Sequence, residues 1–315
     1  MAKVFISKIN GEELEHSLQW LGFSEIIDVS KPVFIKPNLT FTIHKPGVTV
    51  RPEFILSIIK ILTEMGVQQI EVCESDGGYG SFSANEAFIG HDLVGMAKDY
   101  GFKLRNLTDS NWGYLKVGKI NLPFPEIFLG DEVQLISIAV PKVHPMTGIS
   151  LCIKNLWGLI PDPMRLKYHY KFNSVIMAIN RRVKPILSLI DGKYGLTCNG
   201  PMDGESITLD TILASDDSFA IDNTMRKLMG WENLSVPHLD YARKLGLYPT
   251  KTEFNVESVE DFSTEFFLKR SIWNYGALAA FNSRALTNLF YDSHLSNLFH
   301  SIMYSFRSKL HIPRF

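Results

Sequence analysis

Only three cysteines, Cys73, Cys152 and Cys198, occur in the 315 residues, far apart and with no C-x-x-C pair. An odd, scattered set builds neither a disulfide framework nor a cysteine-ligated iron–sulfur cluster, and it fits a reducing compartment. No window offers the roughly 18 consecutive apolar residues that a membrane-spanning helix needs. The start, Met1-Ala2-Lys3-Val4-Phe5-Ile6-Ser7, lacks the apolar h-region of a signal peptide and reads as a first strand. A cytoplasmic protein without a transmembrane segment is expected. A surplus of one charge is also missing: the formal net charge is -1, which argues against a general nucleic-acid binder. Internal repeats and low-complexity linkers are absent as well.

The hydrophobic fraction of 45% and charged fraction of 21% are ordinary for a globular chain. Pro32 to Ile35 is a short apolar run that stops at Lys36-Pro37-Asn38, so it reads as a buried strand. After a polar loop, Pro52 opens a helix with Ile55, Ile58, Ile59, Leu62 and Met65 at helical spacing, and Gly66 ends it. Gln69 to Cys73 is the next strand, followed by Glu74-Ser75-Asp76-Gly77-Gly78. Strand, helix, strand of these lengths is a βαβ unit, hence a parallel pair. A helix near 92–100, a strand from Phe102, a hairpin or edge excursion over 114–129 and a strand over 133–140 follow. Further helices are expected over 147–158 and 173–182, with a strand over 186–190 ending at Asp191-Gly192.

The fold expected is α/β, a mostly parallel open sheet with helices on both faces, plus a helical C-terminal appendage. The body spans residues 1–250. Residues 251–315 form an extension that packs on the body or on a second subunit, which makes a homodimer one reading. Leu295, Leu298, Phe299, Ile302, Met303, Phe306 and Leu310 mark one face of a helix there. A lipid-surface role, with Arg307, Lys309 and Arg314 toward headgroups, is the alternative.

Ligands of an open parallel sheet bind beyond the carboxyl ends of its strands. Four strand endings carry unusual polar sequence: Lys36-Pro37-Asn38, Glu74 to Gly78, Lys142-Val143-His144 and Asp191-Gly192. The stretch 141–169 adds Lys154, Asn155, Arg165 and His169. Lysine and arginine offer charge-assisted hydrogen bonds to phosphate or carboxylate, and histidine transfers protons near neutral pH. Lys36, Lys142, Lys154 and Arg165 are therefore candidate anion holders, with Asn38, Gly77, Gly78 and Asn155 beside them. His144, His169, Asp76 and Asp191 are candidate catalytic groups. A solvated lysine, a turn asparagine, a plain glycine turn and a core histidine are the competing readings. The run at Gly77 matches neither the dinucleotide fingerprint nor a P-loop. Glu74 and Asp76 at alternate positions could reach a divalent metal, yet two carboxylates are too few to assign one.

These motifs together resemble domain-of-unknown-function family 362. The likeness is carried by I-K-P-N at 35–38, S-D-G-G at 75–78, P-K-V-H at 141–144 and K-N-L-W-G at 154–158. It continues through the surroundings of His169, I-D-G-K-Y-G at 190–195, G-P-M-D-G at 200–204 and A-S-D-D at 214–217. The resemblance implies one module and no established reaction. Some members carry an appended ferredoxin-like cysteine cluster, which this chain lacks. Three functions are open: an enzyme acting on a small anionic metabolite, a non-catalytic carrier of such a ligand, and a metal-dependent redox-associated protein.

Overall fold

Neighbouring residues of the run Val33-Phe34-Ile35 belong to two different cores. Val33 and Ile35 join one apolar cluster and Phe34 the other, because successive strand side chains point to opposite faces. Ile136 and Ile138 divide from Leu135 and Ala139 in the same way, as Leu189 divides from Ile190. A strand buried on both faces must be apolar throughout, which is what these runs are.

A computed structural model describes residues 1–291 and Ser293. Its strands are β1 (Ala2–Lys8), β2 (Val33–Pro37), β3 (Ile70–Glu74), β4 (Lys103–Asn106), β5 (Trp112–Val117) and β6 (Ile120–Pro125). They continue as β7 (Gln134–Ala139), β8 (Lys142–His144), β9 (Gly148–Ser150), β10 (Leu187–Thr197), β11 (Glu205–Ser215) and β12 (Thr252–Phe254). The main sheet runs β12-β1-β11-β10-β7-β2-β3-β4, with β8 and β9 branching from β10. β10, β7, β2, β3 and β4 are parallel neighbours, while β11 lies antiparallel to β10 and β1. The fold is thus α/β with a mostly parallel sheet. β5 and β6 form a separate antiparallel hairpin over the stretch read as an excursion.

Helices Glu13–Leu21, Pro52–Glu64, Ala84–Gly90 and Leu93–Tyr100 cover one face. Phe172–Val183, Ser218–Leu228 and Pro237–Lys244 cover the other. Pro52 occupies the first helical turn as expected. Past residue 250, β12 pairs with β1, and helices Ile272–Asn282 and Arg284–Tyr291 follow. The apolar stripe from Leu295 to Leu310, with its basic residues, lies outside the described residues.

Two expectations need correction. Residues 147–158 are not one helix: they form β9, the short helix Cys152–Asn155 and a 3-10 turn over Leu156–Leu159. Gly148, at φ 82°, turns the β8–β9 hairpin, and Leu151 is extended, so the helix cannot begin before Cys152. Nor does the strand expected over 186–190 stop at Asp191. β10 continues to Thr197 because β11 pairs with it along most of its length, across a register shift between Gly192 and Tyr194. Gly192 permits this, since a Cβ there would lie 2.4 Å from the Thr211 carbonyl oxygen.

Candidate functional site

The carboxyl ends of β2, β3 and β7 meet on one rim, and their polar residues are largely consumed in holding it. Lys36 Nζ donates to Glu74 Oε2 at 2.6 Å and to the Pro37 carbonyl at 2.9 Å. The backbone N–H of Ser75 donates to Glu74 Oε1 at 3.0 Å, so this buried ion pair is well satisfied. Asn155 Nδ2 donates to the Lys36 carbonyl at 2.9 Å and to Ser137 Oγ at 3.1 Å, tying its short helix to β2 and β7. Gly158 completes this corner. A Cβ there would lie 2.8 Å from Glu74 Oε1 and 3.0 Å from Lys36 Nζ. That is a physical reason for glycine in K-N-L-W-G.

Other nominated residues are also engaged. Lys142 Nζ donates to Asn38 Oδ1 (2.8 Å), Thr40 Oγ1 (3.1 Å) and the Val48 carbonyl (2.7 Å), fixing the loop after β2. Burial, followed by the charges of Lys154 and Lys36, pulls its pKa well below the ordinary lysine value; three acceptors, matching three ammonium N–H groups, oppose that pull. Asp191 forms a buried pair with Arg51, accepting from Nε at 2.8 Å and from the Arg51 backbone N–H at 2.9 Å. Asp76 accepts from the backbone of Ala84 (2.8 Å) and from Asn106 Nδ2 (3.0 Å). Gly77 and Gly78 pack closely, their Cβ positions facing the Phe82 ring and Leu166. Tyr79 N–H then reaches the Pro163 carbonyl at 2.9 Å, so the glycine run buttresses the loop that carries Arg165.

A second group has far fewer partners. Lys154, half-buried, makes no hydrogen bond or ion pair among the described residues. Arg165 is 9% exposed, and its Nη1 is buried without an acceptor. His238, 1% exposed, has both ring nitrogens unpaired. His169 sits among rings, 4.7 Å from Phe281 and 5.3 Å from Trp157 between centroids. The buried indole N–H of Trp157 is itself unpaired. His144 accepts from Met146 N–H through Nδ1 at 3.2 Å, which leaves the proton of the neutral ring on Nε2.

These groups sense one another. Burial and the charge of Arg165 bring Lys154 down to about 8. Burial, then the charges of Lys154 and Arg165, hold His169 at about 3. Burial and Lys154 hold His238 at about 3 as well. His144 is also pushed well down, by burial and then by Lys154. Arg165 is lowered by burial, against the pull of Glu74 and Asp162. A buried guanidinium and a half-buried ammonium that sense neutral imidazoles, with no ion pair to either cation among the described residues, make a locally positive region.

The fold places this group deliberately. Asp222, fully buried, accepts the N–H groups of Cys152 and Ile153 at 2.9 Å each, setting the helix that carries Lys154 and Asn155. Burial raises its carboxyl to about 8 against these bonds. Helix Ile272–Asn282 covers the other side, with Phe281 on His169, and Arg284 lies 5.8 Å over the Tyr170 ring. A shallow depression lined by Phe128, Asp131, Val133 and Arg182 lies at the amino end of β7, away from this group. Among the described residues no set of three His, Cys, Asp or Glu side chains is grouped to hold a metal ion, and no helix is long and apolar enough to cross a membrane.

Sequence reasoning nominated Lys154, Arg165, His144 and His169, which the fold brings into electrostatic contact. It missed His238, whose Val-Pro-His-Leu setting signals only a helix start, and Asp222, which looks like any polar helix position. A protein-family model described as "Domain of unknown function (DUF362)" matches residues 33–227. A "Thylakoid-associated protein" of Synechocystis sp. is 24% identical over 246 residues, covering 74% of this chain and 73% of its own. A Thermotoga maritima crystal structure aligns with a TM-score of 0.32 and 15% identity. It covers 64% of this chain, which spans only 54% of that one.

Proposed function

Since the chain belongs to the DUF362 family, whose description names no reaction, we propose from its own residues that it is a cytosolic protein acting on a small phosphate- or carboxylate-bearing metabolite held by Arg165 and Lys154. The observation that supports this is the Arg165 guanidinium, nine-tenths buried with an orphaned Nη1. A buried cation without a partner is costly, and an arriving oxyanion supplies charge-assisted bonds to both side chains. His144 or His169 would move a proton, since an anion beside Lys154 offsets the part of their lowered basicity that the Lys154 charge causes.

One observation favours a second reading, a carrier without turnover. Asp76 already accepts from the Ala84 backbone and Asp191 from Arg51, so both carboxylates are engaged away from the histidines. Imidazole NMR of the full chain titrated with inorganic phosphate tests the shared premise: His144 and His169 resonances should shift saturably toward the protonated form. No shift at millimolar phosphate would end both readings. Turnover of any phosphate ester or carboxylate that is lost in His169→Gln would then favour the enzyme.

Location has two readings as well. Ile272, 81% exposed, together with exposed Phe267 and Tyr275 and the relative named for thylakoid association, favours peripheral contact with a membrane surface. Co-sedimentation of the full chain with anionic liposomes decides, and its absence returns the protein to the cytosol.

A further inference from the structure

Anion binding alone does not require that one of the two cations be a lysine. Arg165 alone, with its planar fork, would grip an oxyanion better than any amine. Lys154 differs from Lys36 and Lys142 on the same rim: each of those is saturated by oxygen acceptors, whereas the half-buried Lys154 amine meets none among the described residues. It stands on a short helix fixed at its start by Asp222 and followed at once by Asn155, which is bonded to β2. The amine is therefore held by rigid neighbours and left chemically free.

We propose that Lys154 is a nucleophilic amine that condenses with the carbonyl carbon of an anionic aldehyde or ketone whose phosphate or carboxylate is held by Arg165. The proposal rests on the anion-binding reading above and narrows its substrate class. The Nζ lone pair forms a bond to the carbonyl carbon, and the C=O π pair moves to oxygen, giving a carbinolamine after proton transfer from nitrogen to that oxygen. Loss of the hydroxyl with the remaining N–H proton as water leaves the C=N bond. One amine and one carbonyl thus become one imine and one water, with no oxidant or reductant required. His169, whose neutral ring senses the charge of Lys154, is the group that would relay the protons. Before the anion arrives, the lowered basicity of Lys154, about 8, multiplies its unprotonated fraction at neutral pH by about two hundred relative to an ordinary lysine. A desolvated lysine beside a second cation is a recurring way to activate an amine.

Trapping tests this directly. The full chain is mixed with substoichiometric pyridoxal phosphate, an anionic aldehyde, then reduced with cyanoborohydride and mapped by peptide mass spectrometry. Label should concentrate on Lys154 at least about tenfold over any exposed lysine, and inorganic phosphate should suppress it. Lys154→Arg, which keeps the positive charge but offers no nucleophilic amine, should lose the preferred label. Label scattered over surface lysines, with Lys154 unmodified in protein that still binds phosphate, would overturn the imine and leave anion binding intact. Failure to bind phosphate at all would instead remove the underlying reading.

Discussion

Lys36 and Arg165 are both buried cations, and what separates them is a partner. Lys36→Met strands Glu74 as a buried, unpaired carboxylate, so it should destabilise the protein by about 3–5 kcal/mol. Adding Glu74→Leu should recover much of that loss, as read by urea unfolding. Arg165→Met removes a guanidinium whose buried Nη1 has no acceptor among the described residues. Its melting temperature should hold or rise, while sulfate affinity falls about tenfold or more, the equivalent of one lost charge-assisted bond. A structural arginine would do the reverse. Lys154 adds a pH dependence. Its pKa is about 8 without ligand, and an anion must raise it, so binding takes up a proton when pH exceeds about 8. Sulfate, whose charge stays constant, should bind with little change between pH 7 and 7.5 and then progressively weaker above 8. Affinity that is flat up to pH 10 would remove Lys154 from the site.

Helix Ile272–Asn282 and the short helix Cys152–Asn155 bound the site from two sides, and neither does so through features that sequence advertises. The apolar-rich stretch 147–158 looked like one helix; Gly148 and an aspartate 70 residues away decide otherwise. Asp222→Ala leaves two buried backbone N–H groups unsatisfied, which should cost about 2–4 kcal/mol and loosen the Lys154 helix. Hydrogen exchange at Cys152 and Ile153 would report it. On the opposite side, Phe281 lies against His169. Deleting residues 272–315 should hydrate that ring and raise its pKa from about 3 toward 6.5, visible by imidazole NMR. An unchanged value would mean that the neighbouring cations, rather than burial, control it.

Across the whole molecule, buried neutral histidines set the acid limb of stability. His169 and His238 have pKa values of about 3 folded and about 6.5 unfolded. The unfolded chain therefore binds more protons below about pH 6.5, and stability should fall as pH drops from 6.5 toward 3. His238→Phe should flatten that decline between pH 6 and 4 in urea melts. The parallel rim was legible because apolar runs such as Val33-Phe34-Ile35 end abruptly in polar residues. Which of those residues were already engaged was not legible: Lys36 meets Glu74 across 38 positions and Asp191 meets Arg51 across 140. Local pattern carries no trace of such pairings.

Calorimetric titration of the intact protein with inorganic phosphate at pH 7, beside Arg165→Met, is the most direct test of an anion site at Arg165 and Lys154. One saturable site per chain is expected, with affinity reduced about tenfold or more in the variant. No binding, or equal affinity in both proteins, would contradict it.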